Sequence, residues 1–552
     1  MQREKVDINL NSFGVYQVAR GSSLGELCES IGGQIPDIVV AGIINSAKLR
    51  GMHYLFFSDC DVELVMLNSE KGRNIYRISV GFLLNKAVHD LYPGKRLHIK
   101  HTISNGVYCE IPQLVIDDEV LTRLTEYVRE LNQKNLPIER EYMETQEAIE
   151  IFAHQHHVDK MELLHYRMHD MVHLFGLDGF YEYTYWEMVV NTGMIQDFNL
   201  LSYEPGFIYQ TPENGNTQPS PYVEQRKLGK VYQEAKAWAE MLQTPIIPAL
   251  NRRIEQNEIN DIIAISEALH EKKIAEIADI ICAHPEIRVI LIAGPSSSGK
   301  TTFAQRLMIQ LRVNGKKPSS LSLDNYFIDR EKTPVDAEGK HDYEALEALQ
   351  LDLFNQHLQQ LIAGQEVKMP LYDFIAGKSV PEKISLQVLP NEPLLIEGIH
   401  GLNEQLTWSI AANQKFKIYV SALTQLNLDH SNRIATTDAR LIRRIVRDHR
   451  TRGHSALDTI ARWPSVRRGE DQNIFRFQEN ADVFFNSSLL YELAVLKPMV
   501  EPLLRGSYQN QIEQLEINRL IKVLSFIDSA YDVRIPHNSI LREFIGGSWF
   551  QV

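Results

Sequence analysis

The octapeptide Gly294–Thr301, GPSSSGKT, constrains this 552-residue chain more than any other segment, because it matches the pattern G-x-x-x-x-G-K-[ST]. An apolar run rich in β-branched residues, 287–293, precedes it, and residues 302–311 follow it with apolar side chains at helical spacing. The octapeptide is therefore predicted to join a buried parallel strand to a helix N-terminus, where free N–H groups favour an anion. A chance Gly/Ser-rich turn is the alternative, and the agreement of motif, strand and helix disfavours it.

The residue types in this loop predict a site for the phosphates of a nucleotide. Glycines allow a close backbone approach that a Cβ would block. Lys300 can reach the β- and γ-phosphates, and the hydroxyl of Thr301 can ligate Mg²⁺. ATP and Mg²⁺ are therefore the expected cofactors. The expected phosphate-binding residues are Gly294, Ser296, Ser297, Ser298, Gly299, Lys300, Thr301 and Thr302.

Composition is typical of a soluble globular protein, with 44% hydrophobic and 23% charged residues. The net charge of −14 argues against a protein that coats nucleic acid. The four cysteines contain no C-x-x-C pair and indicate reduced thiols. There is no apolar run of about 18 residues and no signal-peptide pattern, so we expect a cytoplasmic protein that does not cross a membrane.

Before this loop, residues 1–225 mix short strand patterns with helical ones. The stretches VARGSSLGELC, GRNIYRISVGFLLNKAV and VNTGMIQDFNLLSYEPGFIYQTP, in that order, resemble the N-terminal half of threonyl-tRNA synthetases. The resemblance implies a small β-grasp domain in residues 1–66 and an α+β, editing-type second domain in residues 67–225. It leaves tRNA or another ligand as a candidate partner of this half.

The chain departs from that synthetase pattern where the editing chemistry would be. The positions that match an H-x-x-x-H pair are Ile78 and Phe82, and a later Cys-x-x-x-His falls near Trp186 and Val190. Apolar side chains neither ligate zinc nor activate water. We therefore expect that this domain has lost the editing activity.

A histidine-rich segment offers a competing metal site. His165, His169 and His173 are spaced by four within a predicted helix, 161–175, and would share one face. No cysteine or H-E-x-x-H motif accompanies them. A helix face without a metal is the favoured interpretation, and a metal site is the alternative.

Two acidic residues follow predicted strands in the second half of the chain. Asp324 comes directly after the strand 319–323, where a carboxylate could accept the proton of a substrate hydroxyl; the alternative is a helix or turn cap. Glu397 follows the strand pattern 393–396, where an acid would help to hold Mg²⁺.

A run of arginines lies further along the chain. Its members are Arg440, Arg443, Arg444 and Arg447, which share one helical face by spacing, and then Arg450 and Arg452. A solvated face is the usual meaning of such a run. Because phosphoryl transfer requires cations against the transferring group, a phosphate-contacting role is favoured here.

The motifs GPSSSGKTT, LDNYF, HDYEALEALQLDLFNQHL, MPLYDF, LLIEGIHGL and LIRRIVRDHRTRGH resemble the uridine kinase family, within the wider uridine kinase and phosphoribulokinase group. The resemblance implies an α/β P-loop kinase domain, a parallel sheet flanked by helices, in residues 286–500. A helical connector, 226–285, would precede it and a helical extension, 501–552, would follow.

The same resemblance implies roles for individual residues. Asp324 would be the base and Glu397 the acid near Mg²⁺. The positions expected around the nucleoside are Phe327, Tyr343, Glu344 and Tyr372, and those expected to contact phosphate or belong to a lid are Arg444, Arg447 and Arg452.

Four positions depart from the family's pattern. The family's N-Y/F-D-H-P is replaced by residues 342–346, DYEAL, and a base-reading His by Gly377. A lid Arg is His454, and a Gln near the base is Arg462. The reacting centre therefore matches the family, whereas the base-reading pocket does not.

These observations predict an ATP-dependent kinase, in the first place of a nucleoside 5′-hydroxyl. One alternative is a kinase of another acceptor such as a sugar phosphate. Another is an RNA-associated, nucleotide-dependent regulatory protein. The set of Lys300, Thr301, Asp324 and Glu397 favours a kinase, since a regulatory switch needs no hydroxyl base. A homo-oligomer is also expected.

Overall fold

The computed structural model describes residues 5–167, 170–213, 216–335, 339, 341–373, 376–390, 392–424, 426–506 and 513–550. Within these ranges no helix is both long enough and apolar enough to cross a membrane.

A five-stranded mixed sheet with one helix forms the first unit. Its elements are β1 Lys5–Leu10, β2 Gly14–Ala19, α1 Leu24–Ser30, β3 Val39–Ile44, β4 Lys48–Gly51 and β5 Cys60–Met66. The strand order is β2-β1-β5-β3-β4, with β1 parallel to β5 and the other pairs antiparallel. Helix α1 begins with a capping box formed by Ser23 and Glu26. This arrangement agrees with the predicted β-grasp domain, although the sequence did not indicate β4.

Two antiparallel sheets and four helices follow. The elements are α2 Glu70–Leu91, β6 His98–Ile103, β7 Gly106–Glu110, α3 Asp118–Lys134, β8 Glu139–Glu144, α4 Thr145–His154, α5 Val158–His165, β9 Met171–Leu177, β10 Phe180–Glu182, β11 Asn199–Tyr203 and β12 Gly206–Gln210. The sheet orders are β11-β12-β7-β6 and β10-β9-β8. Most of α2 is buried between these sheets and α3, because its apolar residues surround the helix axis.

The predicted helix 161–175 is wrong. Helix α5 ends at His165, and the chain then forms strand β9, in which every residue after Met171 is buried. A short apolar run cannot be assigned to helix or strand by its spacing alone. His165 and His173 therefore lie on different elements, and His169 is outside the described residues. No group of three metal-ligating side chains occurs in the part of the chain that the structure describes.

Three helices lead to the second half: α6 Arg226–Met241, α7 Ile247–Glu255 and α8 Ile259–Cys282. The second half contains β13 Val289–Ala293, α9 Lys300–Val313, β14 Ser319–Ser322, α10 Leu351–Ile362, β15 Glu366–Asp373, β16 Lys378–Gln387, β17 Leu394–Glu397, β18 Lys415–Ser421, α11 Thr436–Arg452, α12 Ala456–Asn473, β19 Val483–Asn486, α13 Glu492–Gly506, α14 Gln514–Leu524 and α15 Arg542–Ile545.

The core of this half is a parallel sheet with the order β14-β17-β13-β18-β19. Helices α8, α9, α11 and α13 supply much of the apolar cover on one face, and α10 lies on the other. The predicted P-loop α/β fold is confirmed. Because the strands are parallel, the segments that follow β13, β14 and β17 meet at one edge of the sheet.

The segment after β18 connects the two halves of the molecule. The backbone N–H of Ile99 donates to the carbonyl of His430 (2.8 Å), and the rings of His98 and His430 stack with centroids 3.8 Å apart. Behind them, Lys160 is completely buried and forms ion pairs with Glu182 and with Asp429, the latter at 3.3 Å. This ionic cluster joins the helices and sheets of residues 70–210 to the segment that follows β18.

Removing Lys160 should destabilise the protein strongly, because two buried carboxylates would lose their compensating charge. We expect Lys160→Ala to lower the free energy of unfolding by about 3–5 kcal/mol in chemical denaturation. The matched control is Lys236→Ala, whose pair with Glu110 (2.7 Å) is one-third exposed on the lysine side and should cost at most about 1 kcal/mol. Equal losses for the two variants would contradict a structural role for the cluster.

Candidate active site

The phosphate-binding loop, residues 294–302, leaves β13 and enters α9 at Lys300. A Cβ on Gly294 would lie 1.9 Å from the carbonyl oxygen of Val420, so only glycine fits beside β18. Gly299 has a left-handed backbone, with φ of +82°, and caps α9. The loop therefore has the strand–loop–helix setting that the sequence predicted.

Two buried serines of the loop fit a phosphate. Ser297 and Ser298 are at most 4% exposed, and their Oγ atoms have no hydrogen-bond partner among the described residues. A buried hydroxyl without a partner is costly unless a ligand satisfies it. Lys300 Nζ donates to the carbonyl of Pro295 within the same loop (3.2 Å). The loop thus offers hydroxyl and ammonium donors to an anion.

The pair formed by Thr301 and Glu397 fits a divalent cation. Thr301 Oγ1 donates to Glu397 Oε1 at 2.8 Å, where β17 ends beside β13. Burial raises the pKa of Glu397 to about 7, against the opposing effect of Lys300. A hydroxyl and a carboxylate oxygen are the ligand types that Mg²⁺ prefers, and a cation there would favour the ionised acid.

Asp324 lies in a short helical turn, Leu323–Tyr326, directly after β14. Its side chain keeps contact with solvent, yet the surrounding protein reduces its hydration and raises its pKa. Lys300 and Arg452 are close enough to oppose that shift. The sheet edge therefore brings the predicted base to the lysine of the loop and to an arginine of α11.

The arginines of α11 do not form one equivalent set. Arg440 and Arg443 are buried, paired with Glu470 and Glu492, and Arg440 Nε also donates to the carbonyl of Ser296 (3.1 Å). Both guanidiniums are thus already paired with carboxylates, which disfavours the expected contact with a transferring phosphoryl group. These two guanidiniums hold the loop in shape instead.

Asp448 gathers three of the four remaining arginines of α11. It pairs with Arg444 (3.3 Å), Arg447 (2.8 Å) and Arg452 (3.4 Å). Burial alone would raise the pKa of Asp448, but the three guanidiniums outweigh it and lower that pKa. Arg444 also donates to Ser296 Oγ (2.8 Å), so this group borders the loop. The sequence did not indicate Asp448 as part of the site.

The predicted acceptor residues also converge. The rings of Phe327 and Tyr372 have centroids 5.5 Å apart, and Tyr343 is 40% exposed near them. Burial and then the nearby Glu470 raise the pKa of Glu344 to about 7. Phe327, Tyr343 and Tyr372 thus form one aromatic wall, and Glu344 lies near Lys300 and Asp324.

Arg330 is a further side chain at this wall that the sequence did not indicate. Gly377 has a φ of +67°, and a Cβ on it would lie 2.7 Å from Arg330 Nε. Arg330 also hydrogen-bonds Tyr372. A guanidinium therefore fills the space at the position where the family resemblance predicted a base-reading side chain. Two other departures from the family's pattern, Arg462 and His454, contact each other, with Arg462 Nη1 3.4 Å from His454 Nε2.

A carboxylate from the far end of the chain completes the site. Glu543, in α15, accepts hydrogen bonds from the backbone N–H of Thr302 (3.3 Å) and from Thr302 Oγ1 (2.9 Å). Nothing in the local sequence pattern predicted this contact.

Known proteins match the region just described. The model of the phosphoribulokinase / uridine kinase family matches residues 289–489. A uridine kinase of Deinococcus deserti is 30% identical over 175 residues, which are 32% of this chain and 75% of that protein. The chain belongs to the phosphoribulokinase / uridine kinase family. A uridine kinase of Chloroflexus aurantiacus, 29% identical over 198 residues, covers 36% of this chain and 85% of the relative. Membership makes ATP-dependent phosphotransfer the reaction class.

The N-terminal part has a different relative. A threonine--tRNA ligase of Desulforamulus reducens is 28% identical over 160 residues, which are 29% of this chain and 25% of that ligase. The predicted fusion is therefore confirmed. Phe82, at a position expected for a zinc ligand, packs on Phe180 instead (centroids 5.7 Å apart), and Trp186 lies under the guanidinium of Arg519 (5.6 Å).

Asp448→Asn should weaken the family's reaction without unfolding the protein. Without the negative charge of Asp448, three guanidiniums beside the loop lose their shared partner. A displacement of about 1 Å in such groups costs about 10–100-fold in rate. We expect that decrease in ADP release at saturating ATP. The matched control is Asp458→Asn, at the exposed third helical position of the capping box that begins α12, which should keep the wild-type rate. Equal rates for both variants would remove Asp448 from the site.

Proposed function

We propose that this protein transfers the γ-phosphate of ATP, in the presence of Mg²⁺, to the 5′-hydroxyl of a nucleoside. The observation that carries this proposal is the position of Asp324, whose carboxylate lies near enough to Lys300 and Arg452 for their charges to lower its pKa against the effect of desolvation. A regulatory nucleotide switch would have no use for a carboxylate there.

Each group has a distinct task in the proposed reaction. The loop hydroxyls and Lys300 hold the phosphates, and Asp324 accepts the proton of the acceptor hydroxyl as its oxygen attacks phosphorus. Arg447 and Arg452 oppose the negative charge of the transferring group. The aromatic wall of Phe327, Tyr343 and Tyr372, together with Glu344, would orient the acceptor.

Thr301 and Glu397 would hold the divalent cation. Such a cation neutralises phosphate charge when bound. We propose Mg²⁺ because both side chains offer oxygen atoms, which are hard ligands.

A second candidate acceptor is a phosphorylated small molecule such as a sugar phosphate. Arg330 supports it, because a guanidinium recognises phosphate well and because Gly377 provides no group to read a base. For the N-terminal half, residues 1–225, we propose ligand binding without editing, since Ile78, Phe82, Trp186 and Val190 offer no zinc-ligating atom.

Asp324→Asn keeps the size of the side chain but removes the basic carboxylate. We expect kcat to fall by about 10²–10⁴-fold while ATP affinity stays nearly unchanged, since Lys300 and the loop remain. In the wild type, kcat should rise with pH through the raised pKa of Asp324, because only the ionised form accepts a proton. Wild-type kcat in the variant would refute the role, and weaker Mg·ATP binding would assign Asp324 to the metal instead.

A panel of nucleosides and sugar phosphates should separate the two acceptor classes. If a nucleoside is used, we expect weak discrimination between pyrimidines and purines, because Gly377 and Arg462 replace base-reading side chains. If a sugar phosphate is used, Arg330→Met should raise KM for that acceptor by about 10-fold, because its phosphate loses the guanidinium, and leave KM for ATP unchanged. Strict use of uridine and cytidine would contradict the relaxed specificity.

A further inference from the structure

The last described part of the chain, residues 530–550, returns to the phosphate-binding loop; we call it the C-terminal segment. Its Glu543 binds both donors of Thr302, the backbone N–H and the hydroxyl, through a single carboxylate oxygen, Oε2. Thr302 has no exposed surface and is the third residue of α9.

These two donors belong to the anion site of the loop. The first N–H groups of a helix have no partner within the helix, and in this loop type they surround the α- and β-phosphates of a nucleotide. A carboxylate and a phosphate oxygen need the same donors. Both cannot occupy the N–H and hydroxyl of Thr302 together.

The C-terminal segment is anchored at this position by several contacts. Ile540 lies against Gly299, where a Cβ would come within 2.4 Å of Ile540 Cγ2. Arg450 donates to the carbonyls of Glu543 (2.9 Å) and Phe544 (3.1 Å). Phe544 is fully buried beneath the guanidinium of Arg443, 5.0 Å from the ring centre. The position of the Glu543 carboxylate is therefore determined by buried contacts of its neighbours in the C-terminal segment.

We propose that Glu543 is an intramolecular competitor of the nucleotide, which occupies a phosphate position and must withdraw from Thr302 before ATP binds fully. The inference rests on the proposed function only in that the loop binds ATP. The C-terminal segment is thus an autoinhibitory element of the kinase half.

The direct test is ATP affinity, measured by calorimetry with Mg²⁺ and without an acceptor, in the full-length chain. Glu543→Ala should bind ATP about 10-fold tighter or more, because a charge-assisted pair of hydrogen bonds no longer competes. Glu543→Gln keeps the shape of the side chain but not its charge, so its ATP affinity should lie between those of Glu543→Ala and the wild type. Glu501→Gln in α13 makes the same change in net charge in a residue paired with Arg505, and should match the wild type.

A second measurement uses the unaltered protein, so it does not depend on whether a variant folds. Hydrogen exchange of residues 540–547 should become faster on addition of Mg·ATP, because the carboxylate and its neighbours leave the loop. Slower exchange there, or ATP affinity that is unchanged or weaker in Glu543→Ala, would overturn the inference. A chain that binds ATP in this competitive way but phosphorylates no nucleoside would refute the proposed function alone.

Discussion

The buried ion pair between Arg440 and Glu470 determines the shape of the phosphate-binding loop. Both side chains are about 1% exposed, and both also bind the backbone of Ser296: Glu470 accepts its N–H (2.8 Å), while Arg440 donates to its carbonyl. Each charge is therefore satisfied by the other and by the loop. Because an unpaired buried charge is far more costly than a broken surface pair, α11, α12 and the loop must take up their positions together.

Helix α11 therefore carries two kinds of arginine: those that hold the loop in shape and those that remain available to a ligand. Arg440 and Arg443 are each paired with a buried glutamate. The arginines at 444, 447 and 452 share Asp448 instead and remain beside the loop. Near the same loop lie the carboxyl groups of Asp324, Glu344 and Glu397, whose pKa values are all raised because the surrounding protein reduces their hydration. The site therefore has cations ready for phosphate and acids that an added cation would help to ionise.

The sequence alone predicts the parts of the site that depend on residues close together in the chain. The loop, its flanking strand and helix, and the acids at the ends of β14 and β17 all follow from short motifs. Contacts between residues that are distant in the chain do not follow from such motifs. Glu470 lies 30 residues from Arg440, Glu492 lies 49 from Arg443, and Glu543 lies 241 from Thr302. The error at residues 161–175 has another cause, since the run around His173 is too short for its periodicity to distinguish a strand from a helix. Gly377 was identified as a departure, but the guanidinium that fills its space could be found only from the fold.

The 241-residue separation between Thr302 and Glu543 has a consequence for the order of events on the ribosome. At synthesis rates of about 5–20 residues per second, the loop is made roughly 10–50 s before Glu543. Because the loop takes its shape together with α11 and α12, only the part of that interval after Glu470 has been made is relevant. During that part, a folded loop has donors on Thr302 that its own carboxylate has not yet reached. A nucleotide present at that stage would meet the loop before Glu543 does, and the segment that carries Glu543 would arrive at a position that a ligand can already hold.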